Sequence, residues 1–206
     1  MEKLTRYLRQ HRWARGGLTG MSGLCLLAAI GLLGYPFFTG LYNSSAQKGL
    51  AQQLDSQATR QAYLHHSIPV GHSLTRIKIP KIGVNVVVVE GTTESALQAG
   101  AGHYPNTPLP CTVGDVAIAG HRTTYGKPFA NIDKLGPGDV IELDTPIGSC
   151  TYSVSQPPFV VLPNDTAVVA NTPGVATLTL TSCTPKGSAS HRIVVKAVMN
   201  GFPTGA

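Results

Sequence analysis

The sequence is poor in charged residues. Only 13% of its 206 residues are Asp, Glu, Lys or Arg, about half of the roughly 25% that is usual. Because 42% of the residues are hydrophobic, the composition excludes a disordered chain, which would combine low hydrophobicity with high charge. Aromatic residues are also scarce at 6%, whereas glycine and proline number 23 and 15. Such frequent turn residues favour short elements and argue against an all-helical bundle.

The chain also lacks a basic patch of the kind that binds nucleic acid. Its formal net charge is +6, but residues 1–16 hold five cations and one carboxylate, a net of +4. These are Lys3, Arg6, Arg9, Arg12 and Arg15 against Glu2. Only +2 is spread over the other residues, so we expect no nucleic-acid partner.

Residues 16–47 contain no Asp, Glu, Lys, Arg or His. Within them, residues 17–42 are mostly apolar and long enough to cross a hydrocarbon layer of roughly 30 Å, which takes about 20 residues. The preceding cations predict that the N-terminus is cytoplasmic and that the rest of the chain lies outside. A cleaved signal peptide is the alternative, since residues 44–46 are small, but its apolar region would be only about 7–15 residues long. Both alternatives place the remaining chain outside the cytoplasm.

The composition divides the chain into four parts. Residues 43–73 are polar, with Leu50, Leu54, Ala58 and Ala62 spaced by four, which fits either a partly helical stalk or a flexible spacer. The predicted parts are a cytoplasmic basic tail (1–16), a transmembrane anchor (17–42), a stalk or linker (43–73) and an extracellular domain (74–206).

From residue 74 the hydrophobic pattern becomes that of strands. Ile77 and Ile79 alternate with polar residues, and residues 84–89 form a β-branched run between two glycines. Further strands are predicted at 116–119, 140–143, 151–155, 177–182 and 193–198, with short helices at 94–99 and 129–135. Many short strands with turn signals between them predict one domain of mainly β structure, a closed barrel or a sandwich of about 130 residues.

Four cysteines are present, and three of them follow the apolar segment. Cys25 lies in the predicted membrane span. In an oxidising compartment an odd number of external cysteines leaves one thiol unpaired. Cys111 and Cys150 both lie in predicted loops or strand edges, where they fit either a disulfide or two separate, partly buried thiols, and the sequence does not decide between these alternatives.

Cys183 is the candidate reactive thiol. Alternation along residues 177–183 places it with threonines on the polar face of a strand, just before Pro185. A thiol with the ordinary pKa of about 8.5 needs a basic or cationic neighbour to act as a nucleophile. Two candidates stand at strand ends: His121 follows strand 116–119, and Arg192 opens strand 193–198, where a hairpin would bring it beside Cys183. Taken alone, a histidine after a strand is more often a turn residue, and an arginine that opens an edge strand is often a solvated strand end.

Several segments together resemble the sortase family. Residues 119–129 read AGHRTTYGKPF and residues 177–185 read TLTLTSCTP, followed by Arg192. The closest resemblance is to class E, the housekeeping type, in which a Gly-His-Arg-Thr-Thr-Tyr-Gly run is typical. Residues 79–84, 89–92 and 102–105 also resemble that class, and the matches run in order along the whole predicted domain.

The resemblance implies a fold and an activity. It implies an eight-stranded β-barrel with short helices and a membrane-anchored cysteine transpeptidase of a Gram-positive cell envelope. Such an enzyme cleaves a C-terminal Leu-Ala-x-Thr-Gly or Leu-Pro-x-Thr-Gly-like sorting signal between Thr and Gly through a cysteine thioester. The protein is then transferred to a cell-wall amine.

The resemblance also implies roles for individual residues. Cys183 matches the nucleophile, His121 the general acid and base, and Arg192 the cation that holds substrate and oxyanion. Candidate substrate-binding residues are Ser182, which stands where Thr is usual, Thr181 and Tyr104. The expected partners are secreted proteins with a sorting signal, a peptidoglycan precursor amine of the lipid II type, and the membrane.

No cofactor or metal is expected. Some sortases use calcium, but Asp133, Asp139, Glu142 and Asp144 are not spaced as a ligand cluster and are better explained as helix and strand-end residues. Calcium dependence is the alternative.

Three other functions are compatible with parts of the sequence. A pilin-polymerising sortase usually has an Asp-Pro-aromatic lid motif, which residues 43–73 lack, and often a C-terminal apolar segment, which residues 201–206 do not resemble. The L,D-transpeptidases have a Ser-x-Gly-Cys context that is missing around Cys183. The remaining alternative is an anchored, non-catalytic β-barrel that binds secreted proteins. We therefore expect the housekeeping transpeptidase.

Overall fold

The structure of the chain is a computed structural model that describes residues 12–201. The predicted basic tail lies outside the described residues, except for its last five positions. The first helix, α1 (Arg12–Leu54), is long and apolar enough to cross a membrane over Thr19–Leu54, where an 18-residue window has a mean hydropathy of 1.9. The predicted anchor, residues 17–42, falls within this helix, and its large apolar side chains are exposed, among them Leu24, Leu33 and Phe38.

A second compact unit begins at residue 39 and contains every strand found among residues 12–201. Two further α-helices are α2 (Gln57–Leu64) and α3 (Glu94–Ala99), and short 3-10 helices occupy Pro80–Ile82, Ile132–Lys134 and Thr166–Val169. The strands are β1 (Ser73–Ile79), β2 (Val84–Glu90), β3 (Ala101–His103), β4 (Gly114–Ala119), β5 (Val140–Thr145), β6 (Gly148–Val154), β7 (Phe159–Val161), β8 (Ala176–Thr184) and β9 (His191–Met199).

Eight of these strands close into a barrel. Neighbouring strands follow the order β6-β5-β1-β2-β3-β4-β8-β9, and pairing of β6 with β9 closes the ring. The β2–β3 and β4–β8 pairs are parallel, and the other pairs are antiparallel. The short β7 pairs with β9 as a ninth strand. The predicted eight-stranded β-barrel with short helices is thus confirmed, and the sequence pattern missed only the three-residue strands β3 and β7.

The barrel interior is built from the alternating apolar residues. Leu178 and Leu180 of β8 are fully buried, as are their β4 neighbours Val116 and Ile118. The opposite face of β8 carries the threonines and ends at the partly exposed Cys183. This is the division of faces that the sequence predicted, and it brings the cysteine to one end of the barrel wall.

The prediction of an α-helix at residues 129–135 is wrong. Only Ile132–Lys134 is helical, as a single 3-10 turn. Lys134 N–H donates to the carbonyl of Asn131, while the carbonyl of Ala130, which an α-helix would pair with Lys134, accepts from Nε of Arg122. The buried arginine thus competes for the backbone group that would have started the helix.

Residues 43–73 are largely helical. They include the last part of α1, all of α2 and a turn before β1, and they contact the barrel. Tyr63 of α2 donates a hydrogen bond to the carbonyl of Pro110, and the Ser73 hydroxyl donates to the carbonyl of Leu50. The four-part domain division drawn from the sequence stays a prediction.

Cys111 and Cys150 form a disulfide, which decides between the two alternatives that the sequence left open. The bond joins the loop before β4 to β6. Cys25 and Cys183 are free thiols.

Candidate active site

The strand ends of β4, β8 and β9 bring the three candidate catalytic residues together. Cys183 is paired with Arg192 in the antiparallel β8–β9 register. In the parallel β4–β8 pair, Ala119 is level with Thr181. His121 and Cys183 each follow two residues later, so they leave the same end of the barrel.

All six predicted site residues line one cavity of about 240 Å³. They are Tyr104, His121, Thr181, Ser182, Cys183 and Arg192. Thr92, in the connection after β2, and Leu97 of α3 also line this cavity, and sequence reasoning had assigned neither of them a role. Thr92 ends one of the segments that carry the family resemblance, which was the only signal for it in the sequence.

His121 is in a state suited to proton transfer. Its Nε2 atom is buried and makes no hydrogen bond with any residue between 12 and 201. The ring packs against Tyr125, with ring centroids 5.2 Å apart. Burial lowers the pKa of His121 below its usual value of 6.5, and the carboxylate of Glu94 opposes this shift. The imidazole is therefore biased toward its neutral form, which can accept a proton.

Arg122 fixes the loop that follows His121. Its buried guanidinium donates to the carbonyl of Ala130 at 2.9 Å and to Oδ1 of Asp133 at 2.8 Å. The backbone N–H of Phe129 returns to the carbonyl of His121 at 3.1 Å. These bonds give the loop a defined conformation, although it contains no strand and no α-helix.

Arg192 is oriented by its own hairpin. Its Nη1 donates to the carbonyls of Ala189 and His191 at 3.0 and 3.1 Å. Within the described chain the remaining guanidinium N–H groups make no hydrogen bond, so they are available to an anionic or carbonyl oxygen. The Arg192 guanidinium belongs to the strand next to that of Cys183, whose thiol is free and partly exposed.

Two hydroxyl contacts stabilise the floor of the cavity. Tyr104 and Thr181 share a hydrogen bond of 3.0 Å between their hydroxyl oxygens. The Ser182 hydroxyl donates to the carbonyl of Gly120 at 2.7 Å and is buried. The Ser182 hydroxyl hydrogen is thereby used in a bond within the protein and is not available to a bound ligand.

Among residues 12–201, no group of three or more His, Cys, Asp and Glu side chains could hold a metal ion. The acidic residues considered for calcium are paired with cations instead. Asp133 contacts Arg122, Asp139 contacts Lys81, and Glu142 and Asp144 contact Lys78.

Comparison with known proteins identifies similar sequences and structures. The family model described as Sortase domain matches residues 77–200, more than half of the chain. Sortase SrtE1 of Streptomyces coelicolor is 32% identical over 143 residues, which cover 63% of this chain and 41% of that protein. The structure of a Clostridium perfringens Sortase D5 transpeptidase matches with a TM-score of 0.67 at 32% identity, covering 78% of this chain and 99% of that one. Sortase E from Streptomyces avermitilis matches with a TM-score of 0.60 at 34% identity, covering 65% and 91%.

The chain spans about two fifths of the length of the Streptomyces coelicolor relative. The family-model match, residues 77–200, covers the barrel and its site.

Proposed function

The chain belongs to the sortase family, and from that premise we propose that it is a cysteine transpeptidase. The observation that carries the proposal is the single cavity that joins His121, Cys183 and Arg192, with the thiol and the guanidinium on paired strand residues. A thiol, an unpaired imidazole nitrogen and a permanent cation supply nucleophile, proton carrier and oxyanion partner.

The first half of the reaction forms a thioester. The Cys183 thiol gives its proton to Nε2 of His121, and the thiolate attacks the Thr carbonyl carbon of the sorting signal. Arg192 stabilises the negative charge that develops on the carbonyl oxygen, because a guanidinium does not lose its proton at physiological pH. The Thr–Gly bond then breaks as imidazolium protonates the leaving amine.

The second half transfers the acyl group. An incoming amine gives a proton to neutral His121 and attacks the thioester carbonyl, and the bond from that carbon to Cys183 Sγ breaks. The lowered pKa of His121 favours the neutral base that this step needs. The imidazolium then returns a proton to the leaving thiolate, so the products are a new amide and a free Cys183 thiol.

The substrates follow from the family and the class. We propose that the donor is a secreted protein with a C-terminal Leu-Ala-x-Thr-Gly or Leu-Pro-x-Thr-Gly-like signal, and that the acceptor is a peptidoglycan precursor amine. Support for class E comes from the Gly-His-Arg-Thr-Thr-Tyr-Gly run at residues 120–126 and from the two Streptomyces relatives. Tyr104 and Thr181 are proposed to contact the signal peptide, and Ser182 to hold the wall behind it.

We further propose that α1 anchors the enzyme with its N-terminus in the cytoplasm and the barrel outside. The N-terminal helix is long and apolar enough to cross a membrane, and cations dominate residues 1–16. An alkaline phosphatase fused after residue 206 should be active in cells, and the same fusion placed before residue 1 should be inactive. The reverse pattern would contradict the orientation.

The activity is tested on the purified full chain in detergent micelles. The protein is incubated with a Leu-Ala-x-Thr-Gly or Leu-Pro-x-Thr-Gly peptide, with or without triglycine, and mass spectrometry follows protein and peptide. We expect a Cys183 adduct that lacks the C-terminal Gly fragment and an amide product that requires triglycine. Cys183→Ala should give neither, while Cys25→Ala should behave as wild type. Absence of both adduct and product with either peptide would contradict the proposal.

A further inference from the structure

The last part of α1 is attached to the barrel by amide side chains. We call residues 39–54 the docking segment. Gln47 contacts both main-chain groups of Val87: its Oε1 accepts from Val87 N–H at 2.6 Å and its Nε2 donates to the Val87 carbonyl at 3.0 Å. Since β3 pairs with β2 only from Val88 onward, the Gln47 amide occupies the place of the missing strand residue. It thereby satisfies a sheet edge that would otherwise be unpaired.

The same segment holds the C-terminal end of α3. Asn43 Nδ2 donates to the carbonyls of Gln98 and Ala99 at 3.2 and 2.9 Å, and Gln47 Nε2 donates to Ala99 at 2.9 Å. The last carbonyls of a helix have no partner within the helix, and a six-residue helix is marginal without tertiary contacts. Because α3 contributes Leu97 to the cavity wall, these hydrogen bonds help to fix the position of one side chain of the active site.

Asn43 also contacts the loop that packs against His121. A Cβ at Gly126 would collide with Oδ1 of Asn43. Gly126 and its two neighbours, Tyr125 and Lys127, all have positive φ, at 72°, 48° and 42°. This conformation is unfavourable for residues other than glycine and persists only where the surroundings hold it. The ring of Tyr125 lies against that of His121, so Asn43 supports the loop that supports the imidazole.

We propose that Asn43 and Gln47 are positioning residues of the active site, and that the docking segment is part of its scaffold rather than a spacer. Asn43 acts on His121 through Gly126 and Tyr125. Gln47, with Asn43, acts on the cavity wall through α3 and Leu97. The proposal rests on the proposed transpeptidase function for its kinetic consequences, but its effect on the reactivity of Cys183 can be measured without turnover.

The test uses the full chain in detergent micelles with Asn43→Ala, Gln47→Met and, as a matched control, Gln52→Ala. Gln52 is an exposed glutamine of the same segment, and Met keeps the length of Gln47 without its hydrogen bonds. Peptide transfer gives kcat and KM over a range of pH. Iodoacetamide alkylation of the Cys183 peptide is followed by mass spectrometry over the same range, with His121→Ala as the reference for a thiol without its imidazole.

We expect Asn43→Ala to lower kcat about tenfold, since a mispositioned catalytic group loses transition-state stabilisation while binding is retained. Its alkylation profile should move toward that of His121→Ala. Gln47→Met should mainly raise KM, severalfold, because it loosens the wall that carries Leu97. Gln52→Ala should match wild type in every measurement.

Gly100→Ala provides a second approach that removes no polar group. A Cβ there would collide with the Gln47 amide and lie 2.7 Å from the Val87 carbonyl; because the backbone of Gly100 is extended, alanine adds no φ/ψ strain and acts through these two collisions. It should reproduce the Gln47→Met result.

A purely structural role gives a different outcome. It would lower the melting temperature of the variants but leave kcat, KM and the alkylation profile within twofold of wild type at temperatures where the chain is folded. That result would overturn the proposal. If wild type transfers no peptide, the transpeptidase function fails by itself, and the alkylation profiles still decide whether the docking segment positions His121.

Discussion

The Ser182 hydroxyl donates a 2.7 Å hydrogen bond to the carbonyl of Gly120. Ser182 directly precedes Cys183, and Gly120 directly precedes His121. One buried hydrogen bond therefore ties together the two strand ends that carry the proposed nucleophile and base. Gly120 has no room for a side chain, because a Cβ there would lie 2.6 Å from the Phe129 ring. The packing of Phe129 therefore also restricts the position of this strand end.

Removal of this hydroxyl should affect both stability and rate. Ser182→Ala leaves the buried Gly120 carbonyl without its donor, so the free energy of unfolding should fall by about 1 kcal/mol. We expect kcat for peptide transfer to fall by about threefold to tenfold, the equivalent of one such bond. Ser182→Thr keeps the hydroxyl and should retain at least half of the rate. Equal losses in the two variants would contradict the role assigned to the hydrogen bond.

Arg192 should not be replaceable by lysine. A lysine ammonium keeps the charge but lacks the planar set of N–H groups that bonds Ala189 and His191 while leaving others free for the substrate. We expect Arg192→Lys to lower kcat by about 100-fold, the usual effect of losing one oxyanion donor. The measurement is transfer of the sorting peptide to triglycine at saturating peptide.

The control for this prediction is Arg60→Lys, an exposed arginine of α2, which should leave kcat unchanged. An Arg192→Lys enzyme with full kcat would show that charge alone suffices at this position.

The charge of Glu94 should set the acidic limit of activity. In the proposed mechanism, resolution of the thioester needs neutral His121, so the rate should fall as pH drops through the pKa of that imidazole. Burial lowers this pKa below 6.5 and Glu94 partly restores it. Glu94→Gln removes the restoring charge, so the pKa falls further and the acidic limb of the pH–kcat profile moves to lower pH.

Asp55→Asn serves as the comparison, because Asp55 is an exposed carboxylate that does not line the site cavity. Its profile should coincide with that of wild type. A shift of the Glu94→Gln limb to higher pH would contradict the electrostatic assignment, since removal of a nearby negative charge can only disfavour imidazolium.

The barrel was predictable because its strands alternate cleanly. In β8, Leu178 and Leu180 face the core, whereas Thr177 and Thr179 face the other way. The two-residue alternation is visible in the sequence although Thr179 is buried as well. β3 was missed because three residues, one of them Gly102, carry no period. The contacts of the docking segment were not predicted for another reason. Asn43 and Gln47 are polar residues of a type that is usually solvated, and their hydrogen-bond partners lie 40–56 residues away along the sequence.

The candidate site was predictable to a similar degree. The proximity of Cys183 and Arg192 could be predicted from the sequence, because the two residues lie close together on the strands of one hairpin, β8 and β9. The position of His121 after strand 116–119 made it a candidate, but the family resemblance was needed to favour it over an ordinary turn residue. Leu97 was not accessible to either argument, because only the placement of α3 on the barrel turns its side chain into the cavity.

The disulfide should stabilise the barrel without taking part in the chemistry. Cys111 and Cys150 are 39 residues apart, and in the chain-entropy account closure of a loop of this length in the unfolded chain contributes about 4 kcal/mol. The double variant Cys111→Ala/Cys150→Ala should therefore lower the free energy of unfolding by about 3–4 kcal/mol, measured by urea denaturation of the full chain in detergent with tyrosine fluorescence.

Because Pro110, the residue before Cys111, accepts the hydrogen bond of Tyr63, α2 should lose amide protection before the strands do in hydrogen exchange. Alkylation of Cys183 at a temperature where the variant is folded should be unchanged, and Cys25→Ala should alter neither quantity. An unaltered urea midpoint in the double variant would mean that packing around Tyr63, rather than the covalent bond, holds this loop to β6.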